Sequence, residues 1–330
     1  MEAPMCTAIT YHTKNHYFGR NLDYEISYEE MVLIAPRKIP FPFRKEKELK
    51  EHYAMIGMGI VKDNYPLFFD ATNEKGLSMA GLNFPENADY KPEKEGVNNI
   101  APFEFIPWIL GQCKEIREVK KKLENINLVS LDFSKELPLS PLHWMISDKE
   151  SSITVECVKE GLKIYDNPVG ILTNNPTFDM QMFHLNNYMH LSPQNPENHF
   201  LKELELKIYS RGMGAIGMPG DLSSQSRFIK AAFTKMNSIS GDSESESISQ
   251  FFHILESVFQ QKGCVCVREG EYEMTLYSSC CNVEECIYYY KTYENSQITG
   301  VNMYKENLNG NTMITYPLVK GQNIYMQNET

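Results

Sequence analysis

Short apolar runs separated by polar turns dominate the first part of the chain. Cys6 to Tyr11 and His16 to Arg20 are two such runs, and the segment Thr13-Lys14-Asn15 between them is typical of a hairpin turn. The same pattern predicts further strands over residues 31–35, 53–61 and 67–82. The chain is therefore expected to open with a series of antiparallel strands that begins at Cys6.

Segments with helical periodicity then alternate with further strands. Apolar side chains recur at helical spacing from Ile116 to Ile126. The connection Gly241 to Ser245 supplies N-cap residues for a later helix. Helices are expected over residues 103–113, 115–126, 226–236 and 244–259, and strands over residues 142–146, 153–157 and 162–165 and, in alternation, between 273 and 316.

The order of elements is strands, helices, strands, helices, strands. This order lacks the regular alternation of strand and helix that builds a parallel sheet, and the sequence has no glycine-rich phosphate loop. We therefore expect an α+β fold with layers of largely antiparallel sheet. No internal repeat and no long linker divides the chain, so a single domain is expected.

Composition and charge exclude several classes of function. The 330 residues are 42% hydrophobic and 12% aromatic, and the formal net charge is −11. An acidic surface repels nucleic acid and anionic membranes. No apolar run approaches the roughly 20 residues that span a bilayer, and Met1 to Thr10 does not resemble a secretory signal. We expect a soluble cytoplasmic protein with neither nucleic acid nor membrane as a partner.

The cysteines do not indicate disulfides or a metal site. Without a secretory signal, reduced thiols are expected. The cluster near the C-terminus lacks paired C-x-x-C spacing and a nearby histidine, so buried small hydrophobic residues are favoured over zinc ligands. No metal and no cofactor is expected. The cysteines are Cys6, Cys113, Cys157, Cys264, Cys266, Cys280, Cys281 and Cys286.

Cys6 is the first candidate for chemistry. If the first two strands pair as a hairpin, Arg20 and Asp23 in Phe18-Gly19-Arg20-Asn21-Leu22-Asp23 return beside the thiol. A neighbouring cation favours the thiolate, which is the nucleophilic form of cysteine. A neighbouring carboxylate can hold a protonated amine. The spacing therefore predicts a cysteine nucleophile with charged support.

The general base is not evident from the sequence. A Cys–His pair is one solution, but His12 and His16 flank the turn, and His143 lies in an apolar strand where a packed histidine is typical. The other solution is the α-amino group of Cys6 itself, whose ordinary pKa of about 8 is close to neutral pH. That solution requires Cys6 to be the first residue of the mature chain.

At this point the sequence resembles the choloylglycine hydrolase family, which contains bile salt hydrolases and penicillin V acylases. The similarity runs from Met5 almost to the C-terminus, and its motifs are specific in combination. They are Met5-Cys6-Thr7, residues 18–23, Asn73-Glu74-Lys75-Gly76-Leu77, Gly81-Leu82-Asn83-Phe84-Pro85, Leu172-Thr173-Asn174-Asn175-Pro176-Thr177, Gly217-Met218-Pro219-Gly220-Asp221 and Ser226-Arg227-Phe228.

The resemblance implies a four-layer αββα sandwich, the fold of N-terminal-nucleophile hydrolases, usually assembled as a homotetramer. It implies that Cys6 is the nucleophile and that its own amine carries the proton. Arg20 and Asp23 would support the thiol and the amine. Asn83 and Asn174 would bind the oxyanion and orient the substrate, and Arg227 would complete the charged network.

The N-terminus departs from the family pattern. Relatives without a signal peptide start Met-Cys, whereas Met1-Glu2-Ala3-Pro4 precedes Met5-Cys6 here. We expect residues 1–5 to be absent from the mature enzyme and residues 6–330 to form its single domain. Either residues 1–5 are removed by proteolysis, or Met1 is a mis-assigned start and translation begins at Met5.

The motif around Asn83 favours the bile salt branch, because penicillin V acylases tend to carry tyrosine there. Glycine- and taurine-conjugated bile salts are then the expected substrates, and Leu22, Phe69, Phe133 and Leu137 are candidates to line an apolar steroid pocket. Three alternatives stay open. They are a penicillin V or N-acyl homoserine lactone acylase, a bile-acid- or lipid-binding homologue that is inactive because residues 1–5 stay attached, and a thiol or metal protein built on the C-terminal cysteines.

Overall fold

A computed structural model describes residues 5–328 of the chain. Its helices are α1 (Phe105–Leu110), α2 (Ile116–Leu123), α3 (Phe178–His184), α4 (Ser224–Asn237) and α5 (Glu244–Glu256). Its strands are β1 (Cys6–His12), β2 (His16–Tyr24), β3 (Met31–Ala35), β4 (Met55–Lys62), β5 (Tyr65–Asn73), β6 (Ser78–Asn83), β7 (Asn98–Ile100), β8 (Ile126–Leu128), β9 (Leu142–Ser147), β10 (Ser152–Val158), β11 (Gly161–Asp166), β12 (Ile171–Leu172), β13 (Val265–Arg268), β14 (Glu271–Asn282), β15 (Ile287–Thr292), β16 (Thr299–Asn302) and β17 (Ile314–Pro317).

Two large sheets organise the molecule. The first sheet has the strand order β12-β1-β2-β14-β15-β16, with β13 paired to β14. The second sheet has the order β11-β10-β9-β6-β5-β4-β3-β17. Every pairing within the two sheets is antiparallel, whereas β7 and β8 form a small separate parallel pair. The expected antiparallel layers are confirmed.

The sheets pack face to face and helices cover their outer faces. In β3, Val32 and Ile34 join the core between the sheets, whereas Leu33 and Ala35 join the core shared with α1 and α2. Such alternation is the period of a strand that is buried on both faces. On the other side, α4 and α5 pack against β1 and enclose a third core. The layer order is helix, sheet, sheet, helix, so the expected αββα sandwich is confirmed.

Two of the expected helices are shorter than their periodicity predicts. The segment expected as helix over 115–126 ends at Leu123, and Ile126 begins β8, where it pairs with Asn98 of β7. The segment expected over 103–113 is a 3-10 turn followed by α1, which ends at Leu110. An apolar residue at a helical interval is compatible with either state, and backbone pairing with a distant strand decides it.

The later helices are close to expectation. Ser243 caps α5, accepting a hydrogen bond from the Glu246 N–H, and the Glu246 carboxylate reaches back to the Ser243 N–H. Among residues 5–328, none of the helices combines the length and the apolar character needed to cross a bilayer.

Candidate active site

The β1–β2 hairpin places the candidate nucleophile. Cys6 lies opposite Leu22 and Ala8 lies opposite Arg20, so the register of the hairpin brings the motif of β2 back to the beginning of β1. The Asp23 N–H donates to the Met5 carbonyl oxygen at 3.0 Å. β1 is flanked by β2 and β12, and the Cys6 side chain is buried within the sheet. The expected neighbourhood of Cys6, Arg20 and Asp23 is present.

Arg20 is held rigidly beside the thiol. Its Nη1 donates to the carbonyl oxygens of Gly81 at 2.6 Å and Phe69 at 3.1 Å, while Nη2 is buried and has no hydrogen-bond partner among the described residues. Burial raises the pKa of the Cys6 thiol, and the charge of Arg20 offsets only part of that rise. The thiol therefore keeps its proton at neutral pH unless a base takes it.

Arg227 of α4 clamps the start of β1. Its Nη1 donates to the Cys6 carbonyl oxygen and to Thr7 Oγ1, both at 2.6 Å, and its Nη2 donates to Asn174 Oδ1 at 2.7 Å. Arg227 Nη1 lies 4.0 Å from the carboxylate of Asp23. Both side chains are buried. A buried guanidinium with this many partners fixes the backbone that carries the thiol.

Asp23 is buried among donors. It accepts a hydrogen bond from Thr275 Oγ1 at 2.6 Å and another from Gln260 Nε2 at 3.2 Å. Burial raises the pKa of Asp23 to about 6, although Arg227 and the hydrogen bond from Thr275 oppose that rise. A carboxyl with this pKa is largely ionised at neutral pH and can stabilise a nearby ammonium.

The two asparagines take different positions. The Cys6 N–H donates to Asn174 Oδ1 at 2.8 Å, and Asn174 Nδ2 donates to the carbonyl oxygen of Asn83 at 2.7 Å. Both groups of the Asn174 amide are therefore engaged. Asn83 Nδ2, in contrast, is buried without a hydrogen-bond partner among residues 5–328. Because a buried donor without a partner is costly, this nitrogen is available to a ligand, and its residue is joined to Cys6 through Asn174.

Glu273, whose carboxylate lies beside Met5, is a residue of the site that the sequence did not predict. The side chain is buried, and Oε1 accepts a hydrogen bond from the Met5 N–H at 2.9 Å. Burial, followed by the charge of Asp23, raises the pKa of Glu273 to about 8. Glu273 lies in β14, an alternating strand whose sequence does not reveal which charged residues face inward.

The four apolar candidates are divided between two places. Leu22 is the cross-strand partner of Cys6, and Phe69 packs with Leu22 against the core between the two sheets. Phe133 and Leu137 pack against the core between the second sheet and its helices, whereas Cys6 belongs to a different cluster, which includes residues of both sheets and of α4 and α5. Phe133 contacts Phe103 edge to face, with 5.2 Å between ring centroids.

The remaining cysteines differ in how far their thiols are exposed to solvent. All eight cysteines are free, and Cys280, Cys281 and Cys286 are buried whereas Cys264 and Cys266 are exposed. Burial raises the pKa of Cys280 and Cys281 well above the ordinary value, which makes these thiols poor nucleophiles. Within residues 5–328, no three or more His, Cys, Asp and Glu side chains are grouped so that they could hold a metal ion.

Two antiparallel sheets between helical layers, with a cysteine at the beginning of a central strand, define the class of N-terminal-nucleophile hydrolases. The penicillin V acylase from Agrobacterium tumefaciens has the same fold, with a TM-score of 0.74 at 20% identity over 98% of this chain and 96% of the acylase. Residues 6–316 match the model of the linear amide C–N hydrolases, choloylglycine hydrolase family. The chain belongs to the choloylglycine hydrolase family.

Several relatives are similar over nearly their whole length. A bile salt hydrolase/transferase from Lactiplantibacillus plantarum is 58% identical over 98% of this chain and 100% of the relative. A bile salt hydrolase/transferase from Clostridium perfringens is 42% identical over 94% of this chain and 96% of the relative. The crystal structure of a mutant conjugated bile acid hydrolase from Clostridium perfringens superposes with a TM-score of 0.91, covering 98% of this chain and all of that one, at 41% identity.

Proposed function

We propose that this chain hydrolyses the amide bond of glycine- and taurine-conjugated bile acids. Support comes from the relatives at 58% and 42% identity, both of which are bile salt hydrolase/transferases. The observation that carries the proposal is a buried chain of hydrogen bonds: the Cys6 nitrogen donates to Asn174 Oδ1, Asn174 Nδ2 donates to the carbonyl oxygen of Asn83, and Asn83 Nδ2 has no partner among residues 5–328. An amide hydrolase needs a nucleophile, a proton carrier and a donor for the oxyanion at such a point.

The proposed reaction begins with attack of Cys6 Sγ on the amide carbonyl carbon. The thiol proton passes to the α-amine of Cys6, and the carbonyl π electrons move to oxygen. Asn83 Nδ2 donates to this oxyanion, since it is a buried donor with no partner in the part of the chain that the structure describes. When the tetrahedral intermediate collapses, the ammonium returns its proton to the leaving nitrogen. Glycine or taurine departs, and the bile acid stays as a thioester on Cys6.

Water completes the cycle. The amine of Cys6 takes a proton from the attacking water, a second oxyanion forms at Asn83, and collapse of this intermediate returns the proton to sulfur and releases the free bile acid. Asn174 Oδ1 orients the amine, because it accepts a hydrogen bond from the same nitrogen. Arg20 and Asp23 stabilise the thiolate and the ammonium. Arg227 fixes Cys6 and Asn174 together.

We further propose that residues 1–5 are absent from the active enzyme, whose single domain is residues 6–330. With Met5 attached, the Cys6 nitrogen is an amide, which is not basic. The Met5 backbone also lies between Asp23 and Glu273, because its carbonyl oxygen accepts a hydrogen bond from the Asp23 N–H and its own N–H donates to the Glu273 carboxylate. Residues 1–4 lie outside the described part of the chain.

The substrate proposal includes where the steroid binds. Leu22, which lies opposite Cys6, and Phe69, which packs against the same core as Leu22, are proposed to contact the steroid. Phe133 and Leu137 are proposed to form a more distant wall. Recognition of the steroid rather than of the amino acid allows both conjugates to be cleaved.

We propose that the enzyme is a cytoplasmic homotetramer. The segment 189–219 exposes large apolar side chains, including Met189 at 81%, Phe200 at 85% and Tyr209 at 81% of their surface. A soluble chain seldom leaves so many apolar residues uncovered on one segment. Analytical ultracentrifugation should give the mass of four chains, and a monomer at micromolar concentration would contradict this assembly.

The substrate test compares taurocholate, glycocholate and penicillin V with protein whose N-terminus at Cys6 is verified by intact mass. Both bile salts should be turned over, penicillin V should be a much poorer substrate, and the Cys6→Ala variant should be inactive. Preference for penicillin V would support the acylase alternative. Binding of taurocholate without turnover, by protein that begins at Cys6, would support the inactive binding homologue.

A further inference from the structure

A buried histidine and a buried glutamate contact the two segments that carry the asparagines of the site. These two loops are the residues after Asn83 at the end of β6 and the residues around Asn174 before α3. His143 in β9 and Glu156 in β10 are both fully buried, and His143 Nδ1 lies 3.0 Å from Glu156 Oε1. Neither side chain touches Cys6 in the proposed mechanism. Two buried polar side chains are costly unless their hydrogen bonds are satisfied, so the contacts of this pair indicate what it does.

The imidazole of His143 connects both loops. Its Nε2 lies 2.9 Å from the carbonyl oxygen of Thr173, the residue before Asn174. Its ring stacks on Phe84, the residue after Asn83, with 4.2 Å between centroids and 7° between planes. The edge of one ring thus fixes one loop and its face fixes the other.

Glu156 fixes the far end of the Asn174 loop. Its Oε1 accepts a hydrogen bond from the backbone N–H of Phe178, the first residue of α3, at 3.1 Å. The segment between Thr173 and Phe178 is therefore anchored at both ends by the same pair, and Asn174 lies inside it. An apolar side chain at either position would fill the space but leave the Thr173 carbonyl or the Phe178 N–H without this partner.

The hydrogen bonds also satisfy the polar atoms of the pair. Thr173 offers a carbonyl oxygen, which only accepts, so His143 Nε2 donates to it. His143 Nδ1 lies within hydrogen-bond distance of Glu156 Oε1, and both Glu156 oxygens lie within 3.3 Å of the Phe178 nitrogen. Because each of these buried atoms has a partner, the pair can stay buried and rigid.

We propose that His143 and Glu156 form one positioning unit that holds Asn83 and Asn174 in register with each other and with Cys6. This assignment rests on the proposed amide hydrolysis, because it acts through the oxyanion donor and the orienter of the amine. Transition-state donors must be placed within a fraction of an ångström. The unit contributes to turnover by removing the freedom of the two loops, and it takes no part in proton transfer.

The first experiment compares His143→Gln with His52→Gln. His52 is a matched control, because it too is buried, lies within hydrogen-bond reach of two backbone carbonyls and packs on a phenylalanine, Phe41, at 4.5 Å. His143→Gln should lower kcat by about 10- to 100-fold with KM within about 3-fold. His52→Gln should change kcat by less than about 2-fold at a similar loss of melting temperature. Equal kcat losses in the two variants would overturn the proposal.

The second experiment measures coupling to Asn174. If His143 acts through that residue, the kcat loss from His143→Gln should shrink at least about 3-fold in an Asn174→Ala background. If His143→Gln lowers kcat by the same factor in the Asn174→Ala background as in wild type, the proposal is overturned, because the effects of an unrelated structural defect and of Asn174→Ala would simply multiply. Glu156→Gln, which keeps the shape of the side chain, should show the same coupling and serves if His143→Gln does not fold. Wild-type protein that begins at Cys6 and turns over neither taurocholate nor glycocholate would instead refute the proposed function.

Discussion

At the residue scale, the site is a set of buried polar groups with complementary tasks. Asn174 uses its oxygen for the Cys6 nitrogen and its nitrogen for the backbone of Asn83. Asn83 keeps its own donor free. The motifs identified Asn83 and Asn174, but the sequence does not distinguish the roles of the two side-chain amides. Only the hydrogen bonds distinguish a residue that organises the site from one that is available to the substrate.

Asn83→Ala should therefore remove activity at little cost in stability. The side-chain nitrogen has no partner in the described structure, and the backbone carbonyl that serves Asn174 is kept. We expect kcat to fall by about 100- to 1,000-fold, as for other oxyanion donors, with a melting temperature within about 2 °C. Asn237→Ala, which removes an exposed amide, is the control. A kcat loss no larger than that of the control would contradict the assignment.

Glu273 should give stability a pH dependence in protein that retains Met5. The folded state raises its pKa from 4.5 to about 8, so the folded chain binds the proton more tightly. This contribution to folding is complete below pH 4.5 and disappears as the pH rises to about 8. Glu273→Gln cannot titrate, so its melting temperature relative to wild type should be higher at pH 9 than at pH 5, by at least about 2 °C.

Glu269→Gln, at an exposed position before β14, should not change with pH in this way. An identical pH profile for Glu273→Gln and wild type would contradict the assignment. In protein that begins at Cys6, the ammonium of Cys6 would lie near Glu273 and lower the pKa of Glu273. The change with pH in the melting temperature of Glu273→Gln relative to wild type should then be smaller. Thermal melts of both forms from pH 5 to 9 make the measurement.

At the element scale, local pattern predicted most strands and the later helices, because alternation and capping are local properties. The hairpin of β1 and β2 follows from two apolar runs and a turn. The pairing of β2 with β14 does not, because it joins residues 17–24 to residues 274–282. That distant pairing brings Glu273 and Thr275 to the site. The short parallel pair β7–β8 is also a long-range pairing. It draws Ile126 into a strand, which is why α2 ends at Leu123 and the prediction of a helix to residue 126 was wrong.

Ser243→Ala should destabilise the fold without affecting the site. The capping box of α5 satisfies backbone donors at the start of a helix that packs on the first sheet. Loss of such a cap costs about 1 kcal/mol of unfolding free energy, or roughly 1–2 °C in melting temperature for a chain of this size. The value of kcat/KM should stay within about 2-fold. Ser240→Ala, just outside the box, should melt like wild type, and an unchanged Ser243→Ala melt would contradict the energetic role of the box.

At the scale of the whole molecule, the layer order came from the resemblance to a family and not from periodicity. Alternation indicates that strands exist, but it does not say which strands neighbour each other, because cross-strand contacts are non-local. The sandwich buries the candidate nucleophile on the face of the first sheet from which Arg20 reaches Gly81 of the second sheet. The net charge of −11 is a property of the whole chain, whereas Cys6 lies among a few buried charges of both signs.

Activity should depend only weakly on ionic strength. Conjugated bile salts are anions, so an acidic surface gives no long-range attraction, and affinity should rest on apolar burial. Between about 0.05 and 0.5 M salt, where screening lengths shorten severalfold, we expect kcat/KM for taurocholate to change by less than about 2-fold. A steep loss with salt would point to electrostatic steering and contradict this account.

The central claim is that one residue, Cys6, supplies both the attacking sulfur and the amine that carries the proton. The most direct test measures the intact mass and the taurocholate turnover of the same preparations, one beginning at Cys6 and one retaining residues 1–5. Turnover should follow the fraction of chains that begin at Cys6, with the longer form at least about 100-fold less active, as expected for loss of a general base. A fully active preparation whose mass includes residues 1–5 would contradict the mechanism.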